Sequence, residues 1–197
     1  MTASTYTSTA PRFPGAAAVA VVIWVALAIA AGASGFLLRL PFPGPQLIIL
    51  ALVALTLAVG LVRGPVRDWI DALPLRTLIG VNAVRFIGIT FLVLAARGQL
   101  NPVFAARAGW GDIAVAIVAI ILVVFPARRA IIHAWNALGF LDLVVAVATA
   151  TVVTIQGTTP GVSPVLTLPL SIVPTVFVPL FLANHVFIFR RLRGEGR

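Results

Sequence analysis

The sequence predicts an all-α membrane protein built from six transmembrane helices. Three observations carry that reading. The chain of 197 residues is 61% hydrophobic and 10% charged, with a mean hydropathy of +1.13; soluble domains are about 45–50% apolar and about 25% charged. It contains six apolar runs, each long enough to cross a hydrocarbon core roughly 30 Å thick. The arginines concentrate in the segments between those runs, as the positive-inside rule expects.

The first fifteen residues (1–15, MTASTYTSTAPRFPG) are polar, rich in Ser and Thr and broken by Pro11 and Pro14. Such a segment cannot bury enough apolar surface to order itself and is expected to be a disordered tail. The transmembrane domain is expected over 16–190, with a short basic tail over 191–197. The first span is expected over Ala16–Leu38. It outruns the 7–15 residues usual for a signal-peptide apolar region, and one arginine, Arg12, precedes it. Gly32-Ala33-Ser34-Gly35 spells the GxSG of rhomboid proteases. There the serine opens a later helix and pairs with a His two helices on. Here it closes the first helix, so the small residues read as a helix contact.

Arg39–Pro45 is a proline-rich turn, and Gln46–Val62 the second span. Arg63–Arg76 (RGPVRDWIDALPLR) mixes three internal charges with Trp69 and predicts a short interfacial helix. Thr77–Ala96 is the third span. Asn101-Pro102 is a start signal, Asn as cap and Pro at the first helical position, for a fourth span ending at Phe125. Its run LNPVFAARAGWGDIAVAI resembles a type seen in bacterial membrane proteins, which implies a multi-pass protein of the bacterial cytoplasmic (inner) membrane. Ala130–Ile155 is the fifth span. The sixth is expected over Val165–Phe189, where Pro164, Pro169, Pro174 and Pro179 recur. Each internal proline lacks a donor and frees the carbonyl one turn earlier, so this helix is expected to be kinked or locally unwound, its carbonyls met by neighbours.

With both termini cytoplasmic, ten arginines lie inside and three (Arg39, Arg97 and Arg107) outside. That asymmetry predicts an N-in, C-in topology. The net charge of +9 does not form the basic stripe a nucleic-acid footprint needs. No cysteine is present, which removes disulfides, thiolate metal sites and thiol chemistry. No metal-ligand spacing, phosphate loop, nucleotide fingerprint or nucleophile triad is present either.

The candidate site is a polar layer. Arg85 sits inside the third span, where a charge costs roughly 2.5–3.5 kcal/mol on insertion scales. The acidic residues within other apolar runs are Asp112 and Asp142. At about 1.5 Å per residue, Arg85 lies about 13–14 Å from Arg76, Asp142 about 19–20 Å from Arg129 and Asp112 about 21 Å from Pro126. The arginine's long stem closes the difference, so all three are expected to meet near the midplane. One arginine between two carboxylates leaves an excess negative charge, which favours a bound proton or cation. Asn82, one turn from Arg85, and Asn136, below Asp142, are expected beside this layer as helix-bridging groups.

Intramembrane charges point to function by default: a proton- or ion-coupled site, or the polar contact of a pocket for a small solute. A structural ion pair within a non-catalytic subunit of a larger complex, or a homo-oligomer, is the rival reading. A third is a membrane enzyme or b-type haem carrier, with His133 and His185 at similar expected depth as axial ligands; no other cofactor is implied. Trp69, Trp110 and Trp135 are expected at the interfaces and Trp24 within the first span.

Overall fold

The computed structural model describes residues 12–194. The tails expected over 1–15 and 191–197 therefore lie outside the described residues up to residue 11 and from residue 195. Every regular element among the described residues is helical. Six helices are long and apolar enough to cross a membrane: Gly15–Ala33, Gly44–Leu61, Leu75–Ala96, Pro102–Val124, Arg129–Gln156 and Val173–Gly194. They are called the first to sixth spans below.

Two boundaries differ from the sequence reading for identifiable reasons. The first span stops at Ala33 because Gly35 adopts a left-handed conformation (φ 66°), and Phe36–Arg39 forms a separate short helix. The sixth span starts at Val173 rather than Val165. Residues 163–171 instead form a short 3₁₀ turn at Ser163–Leu166 and irregular turns. Pro169 would fall inside a helix begun at Val165, where it lacks the N–H that would bond the Val165 carbonyl. The first regular turn of the sixth span, Val173–Phe177, is π-helical.

Pro179 lacks the N–H that would bond the Thr175 carbonyl. That carbonyl accepts instead from Trp24 Nε1 at 3.0 Å. Trp24 thus faces the sixth span and ties to it the most weakly packed helix of the bundle. The sixth span is the most enclosed, with 61% of its apolar window buried against 11% for the first. It packs on the second and fifth spans and on the start of the third, while the fourth is sandwiched between the third and fifth.

The interfacial helix forms as Pro65–Ala72. Trp69 packs edge-on against Phe13 (centroids 4.7 Å apart). Asp71 pairs with Arg67 at 3.5 Å and with Arg190, and Arg191 donates to the Leu73 carbonyl at 2.9 Å. These bonds fasten the end of the sixth span to the interfacial helix. Trp110 is 63% exposed, but Trp135 is buried, against the expectation of an interfacial anchor. Its indole donates to the Val115 carbonyl at 3.1 Å, so its polar end is met by the fourth span rather than by water.

The third span changes winding in its middle. Leu75–Gly80 is α-helical, Val81–Ile87 is 3₁₀, and Gly88–Ala96 is α-helical again. A 3₁₀ run of this length is uncommon and often marks a functional or strained segment. The change leaves carbonyls at the end of the first α segment short of α-type partners. The Leu78 carbonyl accepts from Asn82 Nδ2 at 3.1 Å and from Asn184 Nδ2 at 2.8 Å, and the Ile79 carbonyl from Asn82 Nδ2 at 3.2 Å. Just beyond, a Cβ built on Gly88 would lie 2.8 Å from the Gly109 carbonyl oxygen, so the third and fourth spans approach closely here only because that side chain is absent.

Candidate functional site

The 3₁₀ segment delivers Arg85 to the centre of the bundle, where it is 0% exposed. With three residues per turn, Asn82 and Arg85 are eclipsed on one face. Arg85 Nε donates to Asp112 Oδ1 at 2.7 Å, and one terminal nitrogen donates to Asp142 Oδ2. The other donates to the Gly139 carbonyl at 3.1 Å and lies 3.4 Å from His185 Nε2. Beside these bonds, the guanidinium sits 5.9 Å from the Phe181 ring centroid, within cation–π range.

His185 is held as an acceptor. Asn136 Nδ2 donates to the His185 carbonyl at 3.0 Å, so its Oδ1 is turned to His185 Nδ1 at 2.8 Å. The amide oxygen requires a proton on Nδ1, which leaves the Nε2 lone pair directed at Arg85. A Cβ at Gly139 would come within 2.6 Å of His185 Cε1. Glycine here admits the imidazole to the fifth span.

The structure thus joins Arg85, Asp112, Asp142, Asn136 and His185 in one cluster. Asn82 lies outside it and serves the backbone of its own span. His133 also lies outside, packed near Phe189 with ring centroids 6.1 Å apart. Both ring nitrogens of His185 are engaged within the bundle, and haem ligation through it would require one of those contacts to break.

The part of His185 in this cluster does not follow from the sequence. Depth counted from Arg190 places it near the membrane edge, whereas packing of the sixth span on the fifth buries it fully beside Asn136 and Arg85. The 3₁₀ winding has a weak signal in Gly80 and Gly88, which bracket the segment.

Each carboxylate of the cluster gives one oxygen to Arg85. Among the described residues no hydrogen bond reaches Asp112 Oδ2 or Asp142 Oδ1. No group of three or more metal-ligating side chains is present among those residues. One cation against two anions leaves the cluster with an excess negative charge in an apolar setting, a condition that calls for a proton or an incoming cation.

An apolar cavity of about 220 Å³ adjoins this cluster. It lies where the first–second and fifth–sixth connections meet the ends of the spans. Its walls include Leu37, Ile49, Phe91, Phe104, Val147 and Phe181, and Asp112 is its one ionisable wall residue. Pockets of this kind, apolar with a few polar groups, are the usual form of small-molecule sites.

No curated protein and no solved structure matches the chain. A family model does match residues 42–193, a stretch that contains every residue of the cluster and leaves out the first span. It is described as a domain of unknown function (DUF8737), and this chain belongs to that family.

Proposed function

We propose that this protein is a bacterial cytoplasmic-membrane protein, with both termini cytoplasmic, that binds a small solute beside its intramembrane Arg/Asp cluster. The observation that carries the proposal is the cavity of about 220 Å³ whose one ionisable wall is Asp112. An ion pair that only locked the bundle would have no need of an adjoining chamber. In the N-in orientation the chamber lies toward the outer leaflet, because the connections that line it are the outer ones. The cluster then forms its floor near the bilayer midplane, where a proton or a ligand charge can be balanced.

Native mass spectrometry of the protein released from nanodiscs tests the reading. A bound small molecule is expected on the parent chain. It should be absent from Ala150→Phe, which fills the cavity from the fifth span. An equal complement of bound molecules on both proteins would remove the basis for a binding site.

A further inference from the structure

The walls of the cavity specify more than size. Four phenyl rings line it, those of Phe42, Phe91, Phe104 and Phe181, and Asp112 stands at its inner end. Asp112 is 7% exposed; its Oδ1 is held by Arg85 Nε at 2.7 Å, and its Oδ2 takes no hydrogen bond among the described residues. Arg85 itself does not line the cavity, so an occupant meets the carboxylate and not the guanidinium. The hydroxyls of Thr151 and Thr154, also in the wall, donate to the Val147 and Ala150 carbonyls at 2.9 and 2.8 Å. Their protons are committed to the fifth span.

Phenyl rings beside a carboxylate oxygen that takes no hydrogen bond among the described residues favour positive charge. Aromatic enclosures of this kind recognise quaternary ammonium groups through the negative ring face. A cavity of about 150 Å³ holds benzene, so 220 Å³ fits on the order of nine or ten non-hydrogen atoms.

We propose that the cavity binds a small lipophilic organic cation whose ammonium group lies against Asp112 Oδ2 among the phenyl rings. The inference rests on the reading of the cavity as a binding site and adds the chemical class of the ligand. The ligand's charge neutralises the excess negative charge of the cluster, and its apolar body fills the remaining volume.

Phenyltrimethylammonium and its uncharged isostere tert-butylbenzene test this in detergent micelles by ligand-observed NMR titration. Ala150→Phe is the blank for partitioning into the micelle. The parent is expected to bind the ammonium at least tenfold more tightly than the hydrocarbon. In Asp112→Asn the ratio should fall to about one. That variant keeps an acceptor for Arg85 Nε and leaves Arg85 balanced by Asp142 alone, so its fold is expected to survive. Equal affinity of the parent for both compounds, or an unchanged preference in Asp112→Asn, would overturn the cation assignment while leaving the cavity as a site. If neither compound binds the parent above the Ala150→Phe blank, the cation proposal and the binding reading fall together.

Discussion

Replacing Arg85 with methionine removes the cation and keeps most of the side-chain volume. It leaves Asp112 and Asp142 without their shared donor, in a place where Arg85 is 0% exposed and their side chains only 10% and 16% exposed. Removing one partner of a buried ion pair costs about 3–5 kcal/mol, because a charge is left uncompensated. For a chain of this size 1 kcal/mol moves the melting temperature by about 2–4 °C on the scale of soluble domains. A fall of roughly 6–20 °C is therefore expected. Intrinsic tryptophan fluorescence during heating in detergent measures it, since four tryptophans are present. The triple variant Arg85→Met, Asp112→Asn, Asp142→Asn carries no charge in the cluster and should recover more than half of the loss. A melting temperature for Arg85→Met within about 2 °C of the parent, or a triple variant no more stable than the single one, would refute the account of the cluster as a charge-coupled unit.

Further outcomes are expected elsewhere in the bundle. Gly139→Ala should destabilise by about 1–3 kcal/mol, the usual range for overpacking, because its methyl would meet His185 at 2.6 Å; thermal unfolding measures it. Trp24→Phe should cost about 1–3 kcal/mol, the penalty for a buried carbonyl left unpaired, and should loosen the first span to proteolysis, because Trp24 Nε1 bonds the Thr175 carbonyl. Asn101→Ala should cost about 0.5–2 kcal/mol as a lost cap, since Asn101 Oδ1 accepts from the Val103 and Phe104 N–H groups at 3.0 and 3.1 Å. The cysteine-free chain permits single-cysteine mapping of topology. In intact cells Gln99→Cys and Gln156→Cys should react with a membrane-impermeant maleimide and Asp68→Cys should not; the reverse pattern would invert the proposed orientation.

The six spans are legible because an uninterrupted apolar run of some twenty residues is rarely anything but a membrane-crossing helix. The meeting of Arg85 with Asp112 and Asp142 is legible for a related reason: a buried arginine needs anions, and the other apolar runs offer only two. Features that depend on tertiary context are not legible. His185 joins the cluster through the packing of the sixth span on the fifth, and a hydropathy pattern does not mark which helices meet. Trp135 reads as an anchor by type and position, yet the Val115 carbonyl gives its indole a buried partner. The cavity depends on how residues 163–171 turn before the sixth span begins, and the proline spacing signals irregularity there without specifying its shape. Small-residue patterns are the weakest guide. Gly139 carries no mark in the sequence to set it apart from other glycines, although its missing side chain is what lets the His185 imidazole approach the fifth span.

The switch of winding in the third span bears on both the cluster and the chamber, which already share Asp112. A 3₁₀ residue advances about 120° and 2.0 Å, against about 100° and 1.5 Å in an α-helix. Over the seven residues Val81–Ile87 the difference amounts to a torsion of roughly 140° and a lengthening of about 3.5 Å. Were the segment to rewind as α-helix, Gly88–Ala96 would swivel by that angle relative to Leu75–Gly80 and draw inward. Gly88 would turn away from Gly109, and Phe91 would leave the chamber wall. The guanidinium bonds of Arg85, sited within the segment, oppose that rotation, so the winding that sets one wall of the chamber is held by the charges that meet at its end.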